Sequence, residues 1–260
     1  MTTTKSIDSY RLTDLEEPTD EMLAQIMREA AEDARKATPM PPNVFSMKSK
    51  RLPQPSVNRR VMTEEHRPVL IVVAGPNGSG KTTITSKILR HEWLENAVYI
   101  NPDNIAQERF GDWNSPEAVL DAARYCKSWR EESLKNRQSL IFESVFSSDE
   151  KVDFVCRAKQ QGYFIRLFFV ATSHPSINAA RIAKRVIQGG HDVPISKIIS
   201  RYQKSIFNCK KIIPSVDRLY VYDNSVEDQD ASLLFRMSDG KLVKKYTDDI
   251  PQWAKTIMHI

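Results

Sequence analysis

The sequence predicts an α/β fold with a mostly parallel central sheet, preceded by a helical N-terminal extension. Two observations predict it. From residue 68 onward, short apolar runs alternate with helical patterns, and near residue 65 a polar, proline-containing segment gives way to the apolar run RPVLIVVAG. We therefore divide the 260 residues into an extension, 1–64, and one domain, 65–260, for which 40% hydrophobic content is sufficient.

The extension combines a predicted amphipathic helix with a linker. In PTDEMLAQIMREAAEDARKA, Leu23, Ile26 and Met27 share a face that one helix cannot bury by itself. The proline-containing segment after it should run extended, as a linker or a strap. Residues 1–33 carry three basic and nine acidic side chains, net −6, whereas residues 34–60 carry seven basic and no acidic ones, net +7.

Five apolar runs are predicted strands, and their alternation with helical segments predicts βαβ units. Ser115, followed by a proline and a glutamate, is a predicted helix start, and Gly162 is a predicted helix stop. Near the C-terminus, LLFRM-SDG-KLVKKY predicts a hairpin, and a short helix is expected after Pro251. The predicted strands are 69–74, 97–100, 140–142, 164–171 and 218–222.

Directly after the first predicted strand, the sequence satisfies GxxxxGK[ST] and continues into a helix-compatible run. The glycines allow backbone N–H groups to point at phosphate oxygens, and the helix N-terminus adds a positive dipole. Lys81 can reach the β and γ phosphates, and Thr82 offers a hydroxyl to Mg²⁺. We predict the three-layer fold of a P-loop NTPase, binding ATP and Mg²⁺ through Gly75, Pro76, Asn77, Gly78, Ser79, Gly80, Lys81, Thr82 and Thr83.

Two acidic residues are candidates for the chemistry that follows nucleotide binding. Asp103, in YINPDNIA, follows the second strand and is the candidate general base, because ligands gather at the carboxyl ends of strands beside a P-loop. The alternative is that Asp103 caps the next helix. Glu143, in SLIFE, can orient substrate or hold a metal-bound water, and its alternative is an ordinary solvated strand end.

Phosphoryl transfer also needs cations around the transferring group, often arginines on a mobile segment. The helix-like stretch SINAARIAKRVIQGGHDVPISKIISRYQKS supplies Arg181, Arg185 and Arg201, and the alternative for each is a solvated helix face. The turn at 189–192 breaks the stretch into two helices and suits a lid. His191 is interpreted as a turn residue, since no second His or Cys lies at ligand spacing.

Composition narrows the possible partners only in part. The formal charge of +5 and the pI near 9.0 favour nucleotides, phosphorylated metabolites or nucleic acid. No run approaches the ~20 apolar residues of a membrane span, and the start lacks a signal-peptide core, so we expect a soluble, cytoplasmic protein. Three widely spaced cysteines are interpreted as buried small hydrophobes: Cys126, Cys156 and Cys209.

In their order and combination, GPNGSGKTT, YINPDNIA, LIFESVFS, RVIQGGHDVPISKIISRYQKS and LYVYDNS resemble the zeta-toxin family of P-loop kinases, over about residues 68–225. Members of that family use ATP to phosphorylate the amino-sugar of UDP-N-acetylglucosamine, which starves cell-wall synthesis and poisons the bacterium. The resemblance implies these roles: Lys81 as P-loop lysine, Thr82 as Mg²⁺ ligand, Asp103 as catalytic base, Glu143 as substrate-contacting acid, Arg185 and Arg201 as phosphate-clamping arginines, with Arg181 a rival to Arg185.

One departure from the family concerns the acceptor. The best-known zeta toxins carry a second acidic residue two positions before the base, where this chain has Asn101. The resemblance also implies control by a small helical antitoxin that obstructs the nucleotide site. Our hypothesis is that residues 1–64 act as a fused, antitoxin-like segment that inhibits in cis; a tail or a partner-binding helix is the alternative.

Two other functions remain open at this stage. One is a P-loop kinase of another small molecule or of a nucleic-acid 5′ hydroxyl, although the chain lacks an obvious aromatic platform for single strands. The other is a non-catalytic, ATP-binding regulatory module whose N-terminal helix docks a partner. Nucleic acid is not the expected partner, because no recognised nucleic-acid-binding signature accompanies the basic charge.

Overall fold

The computed structural model describes residues 67–90, 97–110, 115–188 and 193–258. The predicted helix and linker of the extension, and the turn predicted at 189–192, lie outside these residues.

Seven strands form one sheet in the order β2-β3-β1-β4-β5-β6-β7. The first five in that order are parallel, and β6 and β7 pair antiparallel. The five predicted strands and the hairpin are confirmed, although β2 begins one residue later, β3 continues two residues further and β5 continues one residue further than predicted. The strands are β1 Val69–Ala74, β2 Val98–Ile100, β3 Leu140–Ser144, β4 Phe164–Ala171, β5 Arg218–Asp223, β6 Ser232–Ser238 and β7 Lys241–Lys245.

The helices begin and end where the sequence placed its signals. Ser115 Oγ accepts a hydrogen bond from the Ala118 N–H at 3.4 Å and a proline follows it, as expected of a cap. Gly162 has a φ of +84°, which stops a helix just before β4. The helices are α1 Lys81–Arg90, α2 Pro102–Phe110, α3 Pro116–Lys135, α4 Asp149–Gln160, α5 Pro175–Ile187, α6 Ile195–Ile212 and α7 Gln252–Met258.

The connections distribute these helices unevenly over the two faces of the sheet. The crossover from β1 to β2 moves toward the β2 edge of the sheet. Every later crossover between parallel strands moves toward the β7 edge. Because such crossovers are right-handed, the first helix lies on one face and the later ones on the other. Ile84 of α1 accordingly packs with Ile71 and Val73, on what we call the α1 face. Helices α3, α4, α6 and α7 cover the opposite face with the larger core.

The same topology positions the site. The chain leaves the neighbouring strands β1 and β3 in opposite directions, so a crevice opens beyond their carboxyl ends. The GxxxxGK[ST] loop and Glu143 both lie at this edge. Within the described residues, no helix is long and apolar enough to cross a membrane.

Candidate active site

The loop between β1 and α1 can be built only with glycine at two of its turns. Gly80 has a φ of +92°, and a Cβ there would lie 2.3 Å from Nδ2 of Asn224. At Gly75 a Cβ would lie 1.9 Å from the carbonyl oxygen of Val170. These contacts leave no room for a side chain at either position, so only glycine lets the loop pack this closely against Val170 and Asn224.

Side-chain amides from two other elements brace this loop. Asn178, near the start of α5, donates from Nδ2 to the Asn77 carbonyl at 2.6 Å. Asn224, just after β5, donates from Nδ2 to the Ser79 carbonyl at 2.9 Å. Sequence reasoning missed both residues. The place of Asn224 after a strand's carboxyl end was a usable signal, the same one that singled out Asp103.

Lys81 lies where the charged side chains of the site converge. Its Nζ donates to the Pro76 carbonyl at 2.8 Å. The pKa of Lys81 is lowered from 10.5 to about 8, chiefly by burial; Glu143 and Asp103 oppose the shift, and Arg185 and Arg201 add to it. The four charged residues predicted for the site therefore all act on the lysine that is expected to reach phosphate.

Glu143 is buried, with 7% of its surface exposed, so its interpretation as a solvated strand end is wrong. It accepts hydrogen bonds from the Thr82 hydroxyl at 3.1 Å and from the Tyr99 hydroxyl at 2.7 Å. Burial and the Glu143 charge raise the pKa of Tyr99 far above its usual value, so the phenol remains a donor. Sequence reasoning missed Tyr99, which lies in β2.

Asn101 and Asp103 have different roles at the start of α2. Asn101 Oδ1 accepts from the Asp103 N–H at 2.9 Å, so Asn101 caps α2 and the alternative role of Asp103 as that cap is wrong. Asn101 Nδ2 donates to the Tyr99 hydroxyl at 2.9 Å. Asp103 itself is exposed at the rim of the crevice, where its carboxylate can meet a ligand.

The three candidate arginines occupy different places. Arg201 Nη1 lies 3.4 Å from Oδ1 of Asn77, directly over the phosphate loop. Arg181 donates to the carbonyls of Asn224 at 2.8 Å and Val226 at 3.2 Å, so it holds the loop after β5. Arg185 is exposed, and its charge reaches Lys81.

Two cavities of similar size flank the loop. The first, about 290 Å³ and here called the Gly80 cavity, is lined by Gly78, Gly80, Thr83, Ile84, Arg181, Asn224, Val226, Glu227, Asp228, Gln229, Asp230 and Ala231. The second, about 300 Å³ and here called the Lys204 cavity, lies against α6 and is lined by Ser147, Ser196, Lys197, Ser200, Arg201 and Lys204. The first mixes acidic, polar and apolar groups with one arginine, Arg181, whereas the side chains of the second are only cations and hydroxyls.

The backbone of the β3–α4 loop aims Ser147 at the second cavity. Phe146, just before it, is buried and has a φ of +58°, an uncommon conformation for a bulky residue. The Phe146 carbonyl accepts from Nδ2 of Asn208 at 3.0 Å, and its N–H donates to Ser144 Oγ at 2.9 Å. This loop is therefore fixed against α6.

Fold and site together define a P-loop phosphotransferase that uses ATP. The family model of the zeta toxins matches residues 56–236, and the chain belongs to the zeta-toxin family. An uncharacterised protein of Haemophilus influenzae is 30% identical over 132 residues, which cover 51% of this chain and 91% of that protein.

Solved structures share the fold. The crystal structure of AvrRxo1-ORF1:AvrRxo1-ORF2 with sulphate ions has a TM-score of 0.55 at 15% identity, over 74% of this chain and 64% of that chain. The same complex with ATP gives 0.54 at 14% identity, over 96% of this chain and 80% of that chain. The chain thus spans less than two thirds of the length of the first of these structures.

Proposed function

We propose that this kinase transfers the γ-phosphoryl group of ATP to a hydroxyl of UDP-N-acetylglucosamine. The observation that carries the proposal is the Lys204 cavity, a cationic space that shares Arg201 with the phosphate loop. A neutral sugar or nucleoside acceptor would gain little from it, whereas an acceptor with a diphosphate would be held by it.

The nucleotide occupies the other side of the loop. Its β and γ phosphates lie on the loop N–H groups and Lys81, and its base and ribose extend into the Gly80 cavity. The acids there include Glu227 and Asp230, so the cavity suits the base and ribose better than the phosphates. This placement leaves the γ-phosphate between the two cavities.

The residues present fit a magnesium ion. Mg²⁺ prefers oxygen ligands and commonly takes one or two protein oxygens together with phosphates. The Thr82 hydroxyl lies 3.1 Å from Oε2 of Glu143, and Thr82 directly follows Lys81 in the chain. Thr82 would hold the ion, with Glu143 acting through its hydrogen bond to Thr82, and the ion would neutralise charge on the phosphates when bound.

Asp103 performs the proton transfer in this account. Its exposed carboxylate takes the proton of the acceptor hydroxyl as the oxygen forms its bond to the γ phosphorus. The bond from that phosphorus to the leaving oxygen breaks, and ADP carries away the electron pair. Arg185 and Arg201 stabilise the charge spread over the equatorial oxygens. The proposal includes a cytoplasmic location, since both proposed substrates are cytoplasmic metabolites. Loss of the nucleotide sugar would make the protein a toxin of cell-wall synthesis.

Mass spectrometry of the product tests the acceptor directly. The chain is incubated with ATP and, in separate reactions, UDP-N-acetylglucosamine, N-acetylglucosamine, a 5′-hydroxyl oligonucleotide or no acceptor. We expect the nucleotide sugar to gain one phosphoryl group, with the free sugar a poor acceptor. Preferential phosphorylation of the oligonucleotide would move the function to nucleic-acid ends. ATP binding without acceptor-dependent ADP release would make the protein a regulatory module.

We also propose that residues 1–64 inhibit the kinase in cis. The opposite charges of residues 1–33 and of the catalytic domain, together with the apolar helix face of Leu23, Ile26 and Met27, support an intramolecular contact. Deleting residues 1–60 should raise acceptor-dependent ADP release, with circular dichroism as the check that the shortened chain is folded. Equal turnover by a folded shortened chain would remove the inhibitory role.

A further inference from the structure

Tyr99 connects two parts of the site that lie on different strands. Its ring packs against the smaller core on the α1 face, which contains Ile71 and Ile141. The parallel register sets Tyr99 of β2 beside Ile141 of β3, and Glu143 follows Ile141 by two residues on the same face. The Tyr99 hydroxyl is therefore able to reach the carboxylate at the end of the neighbouring strand, 2.7 Å away.

The hydrogen bonds around Tyr99 can run in only one direction. A backbone N–H can only donate, so the amide atom of Asn101 that receives the Asp103 N–H is the oxygen, and the other end of the amide is a donor. That end, Nδ2, donates to the Tyr99 hydroxyl at 2.9 Å. The single proton of the phenol is then left for Oε1 of Glu143. The cap of α2 thus orients the Tyr99 hydroxyl toward Glu143.

The second oxygen of Glu143 determines where the proton of Thr82 points. Oε2 accepts that proton at 3.1 Å, which leaves the lone pairs of the Thr82 hydroxyl for a metal ion. The terminal torsion of a glutamate has only broad preferences, so a carboxylate held at one oxygen would be free to rotate. The hydrogen bond from Tyr99 holds the other oxygen. The orientation of the Thr82 hydroxyl therefore depends on Tyr99 through Glu143.

We propose that Tyr99 is a positioning residue for the magnesium ion: its hydroxyl fixes the Glu143 carboxylate, which keeps the lone pairs of Thr82 available to the metal. Residues that orient metal ligands through hydrogen bonds commonly strengthen metal binding. A phenylalanine would fill the same place in the core, so the hydroxyl carries this role. The role rests on the magnesium site of the proposed function, and not on the identity of the acceptor.

Calorimetric binding of a non-hydrolysable ATP analogue to the full chain tests this role without turnover. Each variant is titrated once with excess Mg²⁺ and once with EDTA, so that the ratio of the two Kd values reports what the metal adds to binding. In Tyr99→Phe we expect the Kd with Mg²⁺ to rise about tenfold and the Kd with EDTA to stay within about twofold of the natural chain. Thr82→Ala, which removes the proposed ligand itself, should show the same pattern.

Tyr163→Phe is the matched control. Tyr163 is fully buried, and its hydroxyl donates to the carbonyls of Ser133 and Gln138, each at 3.1 Å. It lies just before β4, at the amino ends of the strands, whereas the site lies at their carboxyl ends. The control therefore removes a phenol hydroxyl far from the site. It should lower Tm, as Tyr99→Phe should, but leave both Kd values unchanged.

A double variant tests whether Tyr99 acts through Glu143. In a Glu143→Ala background, Tyr99→Phe should change the Kd with Mg²⁺ by less than about twofold, because no carboxylate remains to be positioned. An equal rise of both Kd values in Tyr99→Phe would make Tyr99 a purely structural residue and overturn the proposal. Weaker Mg²⁺-dependent binding in Thr82→Ala but not in Tyr99→Phe would overturn it while leaving the proposed function intact. Unchanged Mg²⁺ dependence in Thr82→Ala would contradict the magnesium site itself.

Discussion

The two sides of the phosphate loop are built differently. On the nucleotide side, Asn178, Asn224 and Arg181 all donate to backbone carbonyls, so their positions are fixed by the protein itself. On the proposed acceptor side, Asp103, Lys197 and Lys204 are exposed, so a ligand can contact them. Under the proposed function, the difference teaches that backbone geometry sets ATP binding, whereas the charges of a few surface side chains set the choice of acceptor.

Removing Lys81 gives the largest expected effect, because both sides of the loop depend on it. Lys81→Ala should lower acceptor-dependent ADP release by about 10³-fold, as the preorganised charge on the transferring group is lost. The measurement is steady-state ADP release with both substrates saturating. Lys135→Ala, at an exposed lysine of α3, is the control and should retain full turnover.

Removing the positive charges of the Lys204 cavity should raise the KM of one substrate alone. In Lys197→Ala with Lys204→Ala, we expect KM for UDP-N-acetylglucosamine to rise about 10- to 100-fold, since two charge-assisted contacts are lost. KM for ATP and kcat should change little. Lys211→Ala lies on the same helix, beyond the cavity, and provides the control. A parallel rise in KM for ATP would show that the two sides are not separate.

The nucleotide side should respond to pH through Lys81. Its pKa of about 8 lies below the usual 10.5, so the ammonium loses its proton as pH rises through 8 in the free protein. We expect the Kd for ATP, measured by calorimetry, to increase by up to about tenfold for each pH unit between 8 and 10. Lys81→Arg stays charged over this range and should give a flat profile. A Kd for ATP that does not change with pH in the natural chain would show that the charge of Lys81 does not control ATP binding over this range.

The smallest expected effect concerns Asn101, which caps α2 and donates to Tyr99. Asn101→Asp keeps the cap of α2 but removes the donor to Tyr99 and adds charge near Asp103 and Glu143. We expect a loss of about 1–3 kcal/mol in the free energy of unfolding, seen as a fall in Tm of roughly 3–10 °C. Asn136→Asp, at an exposed helix end, should shift Tm by much less. An unchanged Tm would show that the hydrogen bond to Tyr99 is not needed.

The fold was predictable because its signals are local. The apolar runs gave every parallel strand, and Ser115 and Gly162 marked a helix start and a helix stop, since capping and left-handed turns depend on neighbouring residues. The loop from Gly75 to Thr82 was equally visible, because its chemistry is written in consecutive residues.

The remaining parts of the site depend on contacts between distant segments. Tyr99 donates to Glu143 across 44 positions, and Asn178 to Asn77 across 101. Lys197, Arg201 and Lys204 share one helix face by spacing alone, but only strand order and helix packing bring Ser147 against them. A single sequence predicts which side chains lie on the same helix or strand. It does not predict which helices and strands pack against each other.

The most direct measurement is acceptor-dependent ADP release by Asp103→Asn with UDP-N-acetylglucosamine, beside calorimetric ATP binding by the same variant. We predict a fall in kcat of about 10²-fold with an unchanged Kd for ATP, because only proton acceptance is lost. Asp121→Asn, at an exposed position of α3, should behave as the natural chain. Full turnover by Asp103→Asn would contradict its role as the base and, with it, the division of the site proposed above.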